Sequence, residues 1–224
     1  MAELTAWSER LARIADMVQH HQQEVGVRQR YPASEITYRW QHTLRVCHYG
    51  QALAEAEGAH VGVVLAACLL HDVATFEEGR AQDHGRRGAG ISRPFLQGLG
   101  CSPEEVEAIC YAVASHVDVD HLETVEARVV TDADNIDRFG AYRILLWCRE
   151  GLNNFDKLSG RLVSRVERLQ DYRRRQMMET PTGNAMFNRQ LDLQLAVFQA
   201  MLAEKEITNL PRIQPLEDHE GGPR

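Results

Sequence analysis

Apolar residues recur along this chain at intervals of three and four, and strictly alternating stretches are scarce. Near the start, Leu4, Trp7, Leu11, Ile14 and Val18 follow this spacing. It places successive apolar side chains on one face of an α-helix, whereas a half-buried strand requires a period of two. The 224 residues are 44% hydrophobic and 25% charged, as is usual for a chain with a packed core. We therefore predict an all-α fold, a single-domain helical bundle.

Capping residues and apolar spacing predict the remaining helices. The strongest start is Ser102-Pro103-Glu104-Glu105, the order of a capping box with proline at the first helical position. Ser34 is predicted to cap a second helix, and the almost wholly apolar segment Val61–Leu70 is predicted to lie centrally in the core. Later helices are predicted over 88–99, 103–116, 127–147 in two pieces, 158–178 and 184–204, with a breaker at 180–183. The bundle is expected to occupy 1–206, with a motif core at about 35–145, C-terminal helices within 158–206 and a flexible tail at 207–224.

Charge and segment composition exclude several classes of protein. The net charge of −7 gives no electrostatic support for coating long nucleic acids. No stretch reaches the roughly 18 apolar residues of a membrane span, and the N-terminus lacks the layout of a signal peptide. The cysteines form no CxxC pair, so we expect buried free thiols and a cytoplasmic protein. They are Cys47, Cys68, Cys101, Cys110 and Cys148.

Histidines and aspartates lie at the ends and apolar faces of the predicted helices. His71-Asp72 closes the most apolar helix, where ionisable side chains are costly unless something binds them. Each histidine alone could be a satisfied core residue, but this explanation becomes improbable for the whole set. Nitrogen and oxygen ligands without a thiolate favour manganese, magnesium, iron, cobalt or nickel over a structural zinc site. The candidate ligands are His42, His71, Asp72, His84, His116 and Asp134.

Three segments carry a family resemblance: AACLLHD at 66–72, EEVEAICYAVASH at 104–116 and EARVVTDADNIDRFGAYR at 126–143. With His42, His71-Asp72 and Asp134 in this order, the chain resembles the HD-domain metal-dependent phosphohydrolase superfamily. It is most similar to the small bacterial branch that includes nucleotide pyrophosphohydrolases. A looser likeness continues to about residue 206. The order of histidines and aspartates is specific for the superfamily and not for a substrate.

The resemblance implies a metal site with Asp132 and Asp134 as competing choices for its last ligand, of which Asp134 is preferred. His84 and His116 match the extra histidines that hold a second metal in some relatives, with Asp72 as the bridge. One or two ions are therefore expected, Mn²⁺ first and Mg²⁺, Co²⁺, Ni²⁺ or iron as alternatives. The implied ligands of the first ion are His42, His71, Asp72 and Asp134.

The expected function is hydrolysis of a nucleotide or another small phosphoester by a metal-activated water. Asp72 or Asp137 is expected to take the proton of the water, and Glu78 or its neighbour Glu77 is a candidate general acid. No long nucleic acid and no membrane is expected as a partner, and a homodimer is left open. The candidate phosphate-binding residues are Arg45, Arg86, Arg87 and Arg138, with Arg143 also flanking the acidic motif.

Two other functions stay open. A di-iron oxygenase of the HD type would use the same six ligands to cleave a carbon bond with iron and dioxygen. A non-catalytic module would bind a metal or a nucleotide and release it unchanged. Consumption of dioxygen distinguishes the first alternative, and recovery of an unchanged ligand distinguishes the second.

Overall fold

The computed structural model describes residues 2–117, 121–152 and 157–207. Over these ranges it contains nine α-helices and no strand, which confirms the all-α prediction. A short 3₁₀ turn, Ala81–Asp83, precedes the fourth helix. The helices are α1 (Ala2–Arg28), α2 (Ala33–Glu57), α3 (Val61–Leu70), α4 (His84–Gly98), α5 (Pro103–Ser115), α6 (Val125–Arg138), α7 (Ala141–Leu152), α8 (Leu158–Arg175) and α9 (Pro181–Ile207). Residues 208–224 of the predicted tail lie outside the described ranges.

Helix α3 occupies the centre of the core, as its uniform apolar composition predicts. It contacts α1, α2, α5 and α6. Val64 and Leu70, on different faces of the helix, are both fully buried. In α2, Gly50 lies so close to α3 that a Cβ atom there would meet the Sγ atom of Cys68 at 2.6 Å. The C-terminal end of α3 is therefore held rigidly, and His71 follows directly from it.

Four helix starts differ from the prediction, and among them α6 begins at Val125, two residues earlier than predicted. Helix α2 begins at Ala33, and its N-cap is Pro32, whose carbonyl accepts the N–H of Glu35 at 2.9 Å. Ser34 therefore lies inside the first turn and caps nothing. Helix α4 begins at His84, four residues earlier than predicted.

The segment predicted as a breaker before the last helix is in fact its start. Helix α9 begins at Pro181, which is compatible with the first helical position because proline lacks an N–H that would be unpaired there. The side-chain oxygen of Thr180 accepts the N–H of Gly183 at 2.9 Å and so caps the helix.

The capping box at the start of α5 is confirmed. The Ser102 hydroxyl accepts the N–H of Glu105 at 3.2 Å, and the Glu105 carboxylate accepts the N–H of Ser102 at 2.7 Å. All five cysteines are free thiols, of which Cys47 and Cys148 are half-buried and the others buried. Among the described helices, none combines the length and apolar composition that crossing a bilayer requires.

Candidate metal centre

Five helices bring the six predicted ligands into one buried cluster. The residues come from the middle of α2, the ends of α3 and α5, the start of α4 and the body of α6. The cluster divides into two groups, in each of which the ligand atoms lie within 4.8 Å of one another. The first group is His42, His71 and Asp134, and the second is Asp72, His84 and His116.

In the first group, two imidazole nitrogens face each other. Nε2 of His42 lies 3.2 Å from Nε2 of His71 and 3.2 Å from Oδ1 of Asp134. Nδ1 of His42 donates to Asp137 at 2.6 Å, and Nδ1 of His71 donates to the carbonyl of Cys68 at 2.7 Å. Because these oxygens accept, each Nδ1 donates, and in the neutral form of the rings the Nε2 lone pairs are directed at each other. Two lone pairs in this position suit a shared cation, and the outer oxygens hold the rings in the orientation that ligation requires.

The second group repeats this arrangement. Nε2 of His84 lies 3.1 Å from Nε2 of His116 and 3.1 Å from Oδ1 of Asp72. Nδ1 of His116 donates to the carbonyl of Val113 at 2.7 Å, which again leaves Nε2 for a ligand. Burial, with the neighbouring charge of His71, lowers the pKa of His116 to about 4. The ring is therefore neutral near pH 7, the form that binds metals.

Asp72 belongs to the second group and also faces the first. Its Oδ2 atom is 3.5 Å from Nε2 of His42 and 3.4 Å from Nε2 of His71, while Oδ1 faces His84. Burial alone would raise the pKa of Asp72, but the charges of Arg39 and His71 and a hydrogen bond with His42 hold it well below its usual range. An ionised carboxylate in this position can bridge two cations.

The charge of the first group is also arranged for a cation. Burial would raise the pKa of Asp134, but the hydrogen bond with His42 and the charge of His71 outweigh it and lower the pKa. Burial would lower the pKa of His42, but hydrogen bonds with Asp134, Asp137 and Asp72 raise it well above its usual range. A metal cation and a proton therefore compete for Nε2 of His42. The nitrogen and oxygen donors, without any thiolate, fit a divalent ion such as Mn²⁺.

A solvent-open cavity of about 410 Å³ lies over the cluster, and we call it the metal cleft. Arg138 reaches its wall 3.6 Å from Oδ2 of Asp134, and Arg143 also lines it. Tyr38 and Gln82 lie on the same walls. The cleft is thus acidic at its floor and cationic at its rim, which suits an anionic substrate bound to a metal.

Asp137 and Arg45, which were expected to take a proton and to bind phosphate, do not line the metal cleft. Both oxygens of Asp137 are taken, by His42 and by Arg45, whose Nε donates at 2.6 Å. The Arg45 guanidinium stacks 4.7 Å from the centre of the Tyr142 ring and does not line the metal cleft. The pair therefore orients the His42 ring, and the structure does not bring Arg45 into the metal cleft.

Glu78, Arg86 and Arg87 lie away from the cluster. Glu78 is exposed and accepts a hydrogen bond of 3.3 Å from Gln29. Arg86 pairs with Asp83 at 3.2 Å, and Arg87 donates to a backbone carbonyl. On α4, His84 faces the cluster, so the two arginines that follow it leave the helix in other directions. None of these three residues, which were expected to act in acid catalysis and phosphate binding, lines the metal cleft.

Asp132 belongs to neither group. It is fully buried and accepts hydrogen bonds from the N–H of Glu179 at 2.8 Å and the N–H of Thr180 at 2.9 Å. The Thr180 hydroxyl donates to it as well, at 2.7 Å. Asp132 thus holds the connection between α8 and α9, and the geometry favours Asp134 over Asp132 as the ligand.

Sequence reasoning missed Arg39 and Thr75. The Arg39 guanidinium contacts Oδ2 of Asp72, and the Thr75 hydroxyl donates to Oδ1 of Asp72 at 2.8 Å. Arg39 precedes His42 by three residues, so the two share a helix face. That spacing is the signal by which Arg39 could have been found, whereas the turn that presents Thr75 has no comparable sequence signature.

Comparison with known proteins finds one matching family model and several similar folds. Residues 39–138 match the family model of the HD domain. The fold is similar to that of an HD-superfamily hydrolase from Bacillus thuringiensis, with 19% identity and a TM-score of 0.63 over 90% of this chain and 99% of that one. It is also similar to Bacillus subtilis YpgQ in complex with ADP, with 19% identity and a TM-score of 0.55 over 89% of this chain and 97% of that one.

A curated relative matches a shorter segment. The bifunctional uridylyltransferase/uridylyl-removing enzyme of Bradyrhizobium diazoefficiens is 33% identical over 82 residues. The match covers 37% of this chain and 8% of that enzyme, so only a small part of the larger protein is represented.

Proposed function

We propose that the chain, whose residues 39–138 match the family model of the HD domain, is a divalent-metal-dependent phosphohydrolase acting on a nucleotide or another small phosphoester. One observation carries the proposal. The carboxylate of Asp72 lies between two pairs of histidines whose Nε2 atoms are 3.2 Å and 3.1 Å apart, at the floor of an open cleft. Such a donor set suits two ions that share a carboxylate.

The residues of each group would hold one ion, and Asp72 would contact both. When bound, divalent metal supplies an activated water and polarises a phosphoryl oxygen. Of the two carboxylates that the sequence suggested for catalysis, Asp72 lines the cleft and Asp137 does not. We therefore propose that Asp72 acts beside the metals at the floor of the cleft and that Asp137 orients His42.

Guanidinium groups would bind the phosphate. Arg138 and Arg143 line the rim of the metal cleft, where they can donate to phosphoryl oxygens that approach the floor. Arg39 lies deeper and is occupied by Asp72, so it keeps that carboxylate ionised. Arg39 thus stabilises the carboxylate at the floor of the cleft, whereas Arg138 and Arg143 would contact the substrate.

A nucleotide is the substrate that the comparisons support best. The YpgQ structure contains ADP, and the curated relative is named for the removal of a uridylyl group. Tyr38 lines the metal cleft and offers a flat surface on which a base could stack. The proposed partner is therefore a small phosphorylated molecule.

The complete six-residue ligand set also favours, as a second candidate, an oxygenase that uses two iron ions. Its substrate would have to suit the same cationic rim. We prefer hydrolysis because the arginines are placed to bind the charge of a phosphate.

The test is release of phosphate and pyrophosphate from a panel of nucleotides with added Mn²⁺. We expect release by the wild type and none by Asp72→Asn. Asp192→Asn is the matched control, because Asp192 is exposed on α9 and pairs with Arg173. If no compound is hydrolysed and iron-loaded protein consumes dioxygen, the phosphohydrolase proposal is wrong and the oxygenase is supported.

A further inference from the structure

A second cavity, of about 700 Å³, lies between α7 and α8. Five of its eight lining residues are basic, and no described lining residue is acidic. We call this cavity the basic cleft. Its basic residues are Arg143, Lys157, Arg161, Arg165 and Arg168.

The spacing of these residues places them on facing surfaces. Arg161, Arg165 and Arg168 follow one another at intervals of four and three, so they share one face of α8. Arg143 lies opposite, on α7. It also lines the metal cleft, and the two cavities therefore share a wall residue.

Composition does not explain this concentration of positive charge. The chain has a net charge of −7, with 32 acidic and 25 basic residues, so a cavity with five basic and no acidic residues among its described lining stands out from the average. Arg165 is half-buried there, and its partners are neutral, namely the amide oxygen of Gln194 at 2.7 Å and the ring of Phe139. Burial and the nearby charges of Arg143 and Arg168 lower the pKa of Arg165. An anion in the cleft would offset that repulsion.

We propose that the basic cleft binds a phosphoryl group of the substrate other than the one that is hydrolysed. The substrate class is then a nucleotide with at least two phosphoryl groups, one held at the metal cleft and another against α8. This assignment rests on the proposed function, because it takes the reacting phosphate to bind in the metal cleft. Arg143 lines both cavities and so connects that cleft with the basic cleft. Arginines on one helix face present paired N–H donors that match phosphate oxygens.

Binding of inorganic tripolyphosphate tests the site without turnover. The metal-free protein in EDTA is titrated by calorimetry, and the double variant Lys157→Gln/Arg168→Gln is compared with wild type. Both residues are exposed and line only the basic cleft of the two, so the substitutions should not disturb folding. We expect the wild type to bind tripolyphosphate and the variant to bind it at least about tenfold more weakly.

The control is Arg13→Gln/Arg189→Gln, which makes the same change of net charge at exposed positions outside both cavities. It should bind tripolyphosphate like the wild type. Equal affinity of wild type and the basic-cleft variant would overturn the proposal. So would equal weakening in the two double variants, because the effect would then come from overall charge.

Two further measurements distinguish failure of this proposal from failure of the proposed function. In a hydrolysing protein, the basic-cleft variant should raise KM for a nucleoside polyphosphate about tenfold and leave KM for a monophosphate unchanged. If no nucleotide is hydrolysed but tripolyphosphate binding still depends on Lys157 and Arg168, the proposed function fails while the anion site stands. Tighter binding of a labelled single-stranded oligonucleotide than of tripolyphosphate, lost in the same variant, would overturn the substrate assignment in favour of nucleic acid.

Discussion

The carboxylate of Asp137 accepts the Nδ1–H of His42 at 2.6 Å, and the two residues lie on different helices. Arg45 holds the other oxygen of Asp137 at 2.6 Å, so the carboxylate is fixed from both sides. The hydrogen bond aims Nε2 of His42 at Asp134 and at His71. A carboxylate in this position would act on a bound metal through the ring that it orients.

Asp137→Asn should weaken metal binding by about 10- to 100-fold, because loss of the charge makes His42 a poorer ligand and loosens its ring. Competition with a fluorescent chelator measures the affinity. Asp192→Asn, the same change at an exposed ion pair, should leave it unchanged. Unaltered affinity in Asp137→Asn would show that this carboxylate does not position the ligand.

The two-group arrangement predicts the metal content of single variants. His84→Ala and His116→Ala should each reduce bound Mn²⁺ from two ions per chain to one, because only the second group loses a ligand. Asp72→Ala should remove both ions, since it faces both groups. Elemental analysis after equilibrium dialysis gives the stoichiometry. If neither histidine variant changes it, a second site does not exist.

Asp132→Ala and Asp134→Ala should separate stability from metal binding. Without Asp132 the buried N–H of Thr180 loses its acceptor, which should lower the free energy of unfolding by about 1–3 kcal/mol. Metal content should stay at the wild-type value. Asp134→Ala should lose the first ion. Urea denaturation and metal analysis of both proteins check this, and the reverse ranking would make Asp132 the ligand.

Gly85→Ala should disturb the second group through the backbone. A Cβ atom at this position would lie 2.8 Å from the carbonyl oxygen of Val113 and 2.9 Å from that of Ala114. Because those oxygens belong to α5, α4 would have to move away, and His84 would separate from His116. We expect loss of the second ion with the first retained, whereas Gly90→Ala, in open space on α4, should change neither. Two ions in Gly85→Ala would contradict the argument.

Much of the fold could be predicted because it depends on local periodicity. The capping box at Ser102 and the apolar segment of α3 were both recognisable, since each depends on residues close together in the chain. The start of α2 was not recognisable, because the helix begins at Ala33 with Pro32 as its N-cap, before the serine that was expected to cap it. The start of α9 was obscured because Pro181 can begin a helix as well as interrupt one.

The clustering of the six candidate ligands was predictable because these residues stand at helix ends and on apolar faces, where polar side chains are costly. The residues around it were less so, because side-chain direction depends on how the helices pack. Arg86 and Arg87 follow His84 after a single glycine, yet α4 turns them away from the cluster. Arg143 could be suspected from its place after the acidic motif, but that it lines two cavities follows only from the packing of α7 against α8.

Anomalous diffraction from crystals grown with Mn²⁺ tests the central claim most directly. We predict two manganese peaks, one among His42, His71 and Asp134 and the other between His84 and His116. Both should lie within coordination distance of the Asp72 carboxylate. Manganese that avoids Asp72, or binds only outside these two groups, would contradict the account.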